Sequence, residues 1–253
     1  MSKIVSVIMP TYNSELTVAD SITSVIEQTF NEWELLITDD CSTDGTLDIL
    51  YSFAKVDSRI KIFRNVQNSG AGASRNNSIK EACGRFIAFL DSDDIWVASK
   101  LEKQIKFMLE NEFALTYTQY NKIDHSGNIT GFISPPICVN YSRLLKSNVI
   151  GCLTAVYDTK ILGKVFMPTI RKRQDMALWL TILERIEFAW CLPENLACYR
   201  EGHESLSSNK LKILSSQWFF YKKYMKFNTF KAGWYFCNYV VQALKKHGLQ
   251  KKL

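Results

Sequence analysis

Along the first hundred positions the apolar residues come in short unbroken runs, each closed by polar turn residues. Such runs suit strands buried on both faces of a parallel sheet, where polar alternation is lost because neither face meets water. Residues 4–9 form the first and most central of them, and Pro10-Thr11-Tyr12-Asn13 follows as a loop. Ser14 is placed to cap a helix whose apolar positions Val18, Ile22, Val25 and Ile26 keep the 3.6-residue period. A second strand over 33–38 ends in Asp39 and Asp40, and a helix over 46–55 follows. A third strand over 59–64 leads through the loop 68–76 into a helix that reaches Cys83 and is stopped by Gly84. The fourth strand, 86–90, is wholly apolar and stops at Asp91-Ser92-Asp93-Asp94. A helix over 97–109 then carries Leu101, Ile105 and Met108 on one face. This alternation of strand and helix predicts the α/β class, with a doubly wound, mostly parallel central sheet flanked by helices.

The pattern loosens after residue 110. Residues 113–123 read as a strand, 125–128 as a turn with His125 on its surface, and 129–133 as a strand pairing back on the first. Pro135-Pro136 breaks the chain before a helix over 141–149 and a strand over 152–157. A helix opening at Asp175 reaches about 184, with Trp179 and Leu180 as core positions, and 188–199 is strand-like around Pro193.

No run of 18 apolar residues exists, so no membrane-spanning helix is expected. The first apolar run is too short for a secretory signal, which points to the cytoplasm. Seven cysteines, odd in number and without a C-x-x-C pair, suit buried reduced thiols rather than a disulfide frame or a zinc site. The net charge of +6 hides an asymmetry: residues 210–253 hold ten lysines and no Asp, Glu or Arg, so the rest of the chain carries −4.

In a parallel sheet the loops at the strand carboxyl ends share one edge, where ligands bind. That edge collects Tyr12, which can stack on a base, Asp40, which can accept from a base or ribose, and the acids Asp91, Asp93 and Asp94. Crowded carboxylates suit a hard divalent cation such as Mg²⁺ or Mn²⁺ on a diphosphate. One of these acids could instead cap the following helix. The phosphate loops of other nucleotide folds are missing. Gly70-x-Gly72-x-x-Arg75 lacks the third glycine of a dinucleotide fingerprint and follows the wrong strand, and no G-x-x-x-x-G-K-[ST] occurs.

Several motifs together resemble family 2 glycosyltransferases: residues 6–13, Gln28-Thr29-Phe30, the stretch Asp39 to Thr46, Asn68-x-Gly70, Ala73-x-Arg75-Asn76 and Asp91-Ser92-Asp93-Asp94. The resemblance is dense over 4–100, sparser to about 207, and absent from 210 onward. It implies the GT-A fold, a nucleotide-diphospho-sugar donor, a divalent metal (Mn²⁺ or Mg²⁺) and inversion at the anomeric carbon. Residue by residue it implies that Pro10, Thr11, Tyr12 and Asn13 line the nucleoside site with Asp40 on the base or ribose. Asn68, Arg75 and Ser92 flank the donor. Asp91 and Asp93 match the D-x-D motif, with Asp93 the direct metal ligand. Gln174-Asp175-x-x-Leu178-Trp179-Leu180 resembles the segment carrying the catalytic base, which is then Asp175. Arg200 and His203, with Ser205-Leu206-Ser207, resemble a loop closing over the diphosphate. The organisation implied is a glycosyltransferase domain over 1–207, with a nucleotide-binding half (1–110) and an acceptor half (111–207). A helical tail over 208–253 follows. The acceptor implied is a glycan or lipid-linked saccharide in surface polysaccharide assembly. A sugar-nucleotidyltransferase competes, although its glycine-rich signature is missing after Val7, and so does a module that binds nucleotide-sugar or membrane without catalysis.

The tail interleaves its lysines with aromatics from Trp218 to Tyr239. Basic helices with aromatic sides suit an anionic membrane surface. The expected partners are therefore the donor, the acceptor and the inner face of the cell membrane, with no nucleic acid. Packing of the same aromatics against the catalytic domain stands as the alternative.

Overall fold

The structure, a computed structural model, describes residues 4–201 and 210–250. The first half is four parallel strands joined by helices: β1 (Val5–Thr11), α1 (Val18–Ile26), β2 (Trp33–Asp39), α2 (Thr46–Val56), β3 (Ile60–Arg64), α3 (Ala71–Glu81) and β4 (Phe86–Phe89). Their order in the sheet is β3-β2-β1-β4, with Val5 opposite both Trp33 and Phe86. Every residue of β1, β2 and β4 is buried. Period-2 side chains divide between two cores. Ile8, Leu36, Ile87 and Phe89 face one, and Val5, Val7, Met9, Leu35 and Ile37 face the other.

The second half extends the same sheet. β5 (Ile95–Trp96), α4 (Lys100–Asn111), β6 (Leu115–Ile123), β7 (Ile129–Ile133), β8 (Cys138–Val139), α5 (Tyr141–Lys146), β9 (Val156–Asp158), α6 (Thr159–Leu162), α7 (Gln174–Leu183) and β10 (Ala189–Arg200) follow. The full order is β3-β2-β1-β4-β9-β6-β10-β5, with β7 on β6 and β8 on β10. β9 runs antiparallel to both β4 and β6, while β6 and β10 are parallel, so the extension is mixed. Trp179 and Leu180 of α7 lie in the core as the sequence implies.

Four local expectations change. Pro10 and Thr11 belong to β1 and not to a loop. Pro10 is tolerated because its missing N–H falls on the β4 side, beyond Ile8 and Phe89, the last paired residues. Ser14 is not a cap: α1 starts at Val18, and the Ser14 hydroxyl meets that of Ser92 at 2.8 Å. Gly84 is not a helix stop, since α3 ends at Glu81. A Cβ on Gly84 would lie 2.6 Å from the backbone nitrogen of Ser6, so close strand approach requires the glycine. Residues 152–154 form a 3₁₀ turn before β9 instead of opening a strand.

The tail forms α8 (Lys210–Phe219), a π-helical turn (Phe220–Tyr224) and α9 (Thr229–Gln250). Phe220, Tyr221 and Ala232 are buried against the α7 core, and the Tyr221 hydroxyl donates to the Leu145 carbonyl. Among the described residues, no helix is long and apolar enough to cross a membrane. All seven cysteines are free thiols.

Candidate active site

The strand carboxyl ends and the start of α7 enclose one cleft of about 1230 Å³. Pro10, Thr11, Tyr12 and Asn13 line its first pole. Tyr12 is exposed, with a ring free to stack. Thr11 is buried, and its Oγ1 has no hydrogen-bond partner among the described residues. A buried hydroxyl left unpaired on a cleft wall is an invitation to a polar ligand. Asn13 adopts a positive φ of 48°, which Asn tolerates, and its Oδ1 accepts from the Thr43 N–H at 2.9 Å.

Asp40 lines the cleft but spends most of its carboxylate on the protein. It accepts from the N–H of Ser69 (2.8 Å) and Gly70 (2.7 Å) and from Asn65 Nδ2 (2.6 Å). Three of its four or so lone-pair sites therefore shape the loop that opens α3. Gly70 has φ +85°, which only glycine adopts without strain. Asn68 closes the same loop through the Asp40 carbonyl (3.3 Å).

Arg75, on the buried face of α3, pairs with Asp91. Burial alone would lower its pKa, but the charge and hydrogen bond of Asp91, with Cys152 and Asp175, together raise it above the usual value. Its Nε is buried without a partner among the described residues. Asp93 opens to the cleft. The protein around it and the charge of Asp91 push its pKa up to about 6. Asp94 turns away from the cleft and accepts from the Arg200 N–H at 3.0 Å; burial and its two acidic neighbours hold its pKa well above the carboxylate range. Among the described residues no group of three metal-ligating side chains exists. Two carboxylates without a cage are nonetheless the donor set of a Mg²⁺-type ion that takes its remaining ligands from water and substrate phosphates. With Asp91 tied to Arg75, Asp93 is the carboxylate left for such an ion, and a cation would offset both the burial and the Asp91 charge that raise its pKa. The residues fit the metal.

Arg200 stands elsewhere than over a diphosphate. It is buried and gives Nε to the Asp93 carbonyl (3.0 Å), Nη1 to the His125 carbonyl (3.0 Å) and Nη2 to Asp20 (3.1 Å). It clamps the acidic loop to α1 and to the β6–β7 turn, and it does not line the cleft. His125 is exposed in that turn and reaches the cleft rim. Ser92 is buried, with its carbonyl accepting from Thr17 Oγ1 at 2.9 Å. His203 and Ser205 to Ser207 lie outside the described residues.

Asp175 is the second residue of α7, in a first turn where an anion interacts favourably with the helix N-terminus. Asn148 Nδ2 donates to its Oδ2 at 2.8 Å. Cys152 lines the cleft close to Arg75, Asp91 and Asp175, and burial among those charges raises its thiol pKa. The sequence carried no signal for Asn148 or Cys152, which belong to no motif. Arg171-Lys172-Arg173, a basic triplet directly ahead of Gln174 and Asp175, also lines the cleft, and its run of charge is the one signal of it in the sequence.

Comparison with known proteins agrees with this geometry. The family model for glycosyl transferase family 2 matches residues 6–155. TuaG of Bacillus subtilis, named as a teichuronic acid biosynthesis glycosyltransferase, is 43% identical over 96% of this chain and 97% of its own. WfgD of Escherichia coli is 42% identical over 98% of this chain and 97% of its own. Its name is UDP-Glc:α-D-GlcNAc-diphosphoundecaprenol β-1,3-glucosyltransferase. Among solved structures, residues 1–349 of Staphylococcus aureus TarS with UDP-GlcNAc superpose with a TM-score of 0.70 at 20% identity, over 96% of this chain and 72% of that one. The Pyrobaculum calidifontis mannosyltransferase PcManGT with GDP-Man and Mn²⁺ gives 0.68 at 15% identity, over 97% and 76%. These likenesses decide between glycosyltransferase and sugar-nucleotidyltransferase: the chain has the GT-A fold and is a member of glycosyl transferase family 2.

Proposed function

We propose that the chain transfers a sugar, with inversion, from a nucleotide-diphospho-sugar to a hydroxyl of a lipid-linked saccharide during surface polysaccharide assembly. A UDP-sugar is the donor favoured, since the name of the Escherichia coli relative specifies UDP-Glc. The observation that carries the reading is a single cleft in which the strand-end acids Asp91 and Asp93 share a wall with a helix-borne carboxylate, Asp175. Pro10 to Asn13, with Asp40 and Asn68, receive the nucleoside, and Arg75 with Ser92 flanks the donor. Residues 1–110 thus serve the donor, 111–207 the acceptor, and 208–253 the membrane.

Asp93, supported by Asp91, would hold Mn²⁺ or Mg²⁺, which when bound neutralises charge growing on the departing diphosphate. Arg75, buried and positive beside both poles, adds a fixed charge on the same side. Asp175 takes the proton from the acceptor hydroxyl, and Asn148 holds its carboxylate in line. A diphosphate leaves without a proton, so one base suffices. No other carboxylate among the described residues lines the acceptor side, which favours one displacement over two.

On α9, Phe230, Trp234, Val241 and Leu244 are exposed at helical spacing on one face, and Ala232, Tyr235 and Tyr239 turn the other way. With Lys223, Lys226 and Lys231 nearby in the chain, that face suits an anionic membrane surface.

The test is a thermal shift with UDP, GDP, dTDP and CMP, each with and without Mn²⁺. The expected result is a metal-dependent rise with UDP that Asp93→Asn removes. A rise of equal size in the variant would defeat the assignment of Asp93, and no rise with any nucleotide would defeat the donor reading.

A further inference from the structure

Besides Arg75, the cleft is lined by a second group of cations at the start of α7. Arg171, Lys172 and Arg173 directly precede Gln174 and Asp175, and all three line the cleft. Arg173 is fixed: it has φ +65°, its Nη2 donates to Tyr239 Oη at 2.8 Å, and its guanidinium lies 5.4 Å from the Tyr239 ring centre. It thereby ties the start of α7 to α9. Arg171 and Lys172 are exposed, and neither has a hydrogen bond or ion pair to any described residue. Cations left without a carboxylate partner beside a catalytic base are a cost to the base unless an anion arrives with the substrate. The cleft is also lined by Ile213 and Ser216 of α8 and by Tyr239 of α9, the Arg173 partner on the helix whose outer face suits a membrane.

We propose that Arg171 and Lys172, with Arg173 as the fixed member, form a seat for the diphosphate of a polyprenyl-diphosphate-linked acceptor. Guanidinium groups match phosphate oxygens in bidentate geometry, and lysine adds a flexible point charge. Seating the diphosphate there places the sugar attached to it next to Asp175, with the lipid leaving past α8 and α9. The proposal rests on the lipid-linked acceptor reading above. It adds which residues recognise the lipid-borne phosphates, and it predicts a second diphosphate site independent of the donor's.

The test is equilibrium binding of geranylgeranyl diphosphate to the full chain in non-ionic detergent, with UDP and Mn²⁺ saturating. Geranylgeraniol and inorganic pyrophosphate run beside it. Binding of the lipid diphosphate should persist with the donor site filled and weaken at least tenfold in the Arg171→Gln/Lys172→Gln double variant. UDP affinity should stay unchanged in that variant. Both changed residues are exposed and unpaired among the described residues, so the fold should tolerate the change. Equal binding in wild type and variant overturns the seat. So do displacement of the lipid diphosphate by UDP, absence of binding, and geranylgeraniol binding as tightly as the diphosphate. Pyrophosphate binding as tightly as the lipid diphosphate would reassign the seat to free phosphates and overturn the lipid part. The UDP titration in the same samples reports separately on the donor reading.

Discussion

At and behind the strand-end pole of the cleft, most charged side chains are already engaged with the protein. Asp40 holds a loop, Arg75 holds Asp91, Asp94 holds a backbone N–H, and Arg200 holds three separate segments. At the acceptor pole Asp175 has one hydrogen bond from Asn148, and Arg171 and Lys172 have none to the described residues. The difference follows from architecture. Parallel strands end together at a buried edge, where polar groups must find protein partners. The acceptor wall is made of a helix start and two appended helices, whose rim stays in water. On the proposed reading, a preformed donor pocket beside an open acceptor rim would let one fold keep its donor chemistry while the acceptor changes.

The comparison can be broken in four ways, from the largest effect down. Asp175→Asn should lower kcat by about 10²–10⁴, the usual worth of a general base, and leave the nucleotide-induced thermal shift intact. Loss of nucleotide binding in that variant would mean the two poles are not separable. Trp234→Ser with Phe230→Ser should abolish co-sedimentation with anionic vesicles at low salt, since burying each large apolar side chain is worth about 1.5–3 kcal/mol. Arg200→Met leaves carbonyls of the acidic loop and the β6–β7 turn without their donor. It should cost about 1–3 kcal/mol, read as a fall of several degrees in Tm. Arg171→Gln should leave Tm unmoved; equal losses would erase the contrast between engaged and open charges.

A separate prediction concerns Lys100, which is fully buried, with Nζ donating to Gln104 Oε1 (2.6 Å) and lying over the Trp96 ring (4.3 Å). Burial pulls its pKa down to about 7 from 10.5. Between those values the unfolded chain binds the proton that the folded chain has lost, so stability rises with pH from about 7 to 10.5. Lys100→Met should flatten the rise of Tm across that window, and an unchanged slope would place its source elsewhere.

Much of this molecule could be read from the chain alone. Apolar runs between helical segments dictated β1 and β4 as strands covered on both faces, and the strand–helix alternation carried the parallel order out to β3, an edge strand that buries only Ile60. The placement of acids after the runs dictated one ligand edge, because parallel strands end on the same side. Asp91, Asp93 and Asp175 were visible as motif residues, and the chain's family with them. What the pattern could not convey was which charges are spent. Arg200 looks like a ligand in the sequence, but contacts with residues as remote as Asp20 and His125 make it a brace, while Asp40 holds the Ser69–Gly70 loop and still lines the cleft. The mixed order of β9, β6, β10 and β5 was equally hidden, since short strands pair by long-range contact and not by local period. The tail shows the limit most plainly. Its lysines and aromatics announced a surface helix, but only tertiary packing decided that Phe220, Tyr221 and Ala232 join the core while Phe230 and Trp234 face outward. Periodicity marks a face, and only the partner packed against it determines whether that face is buried.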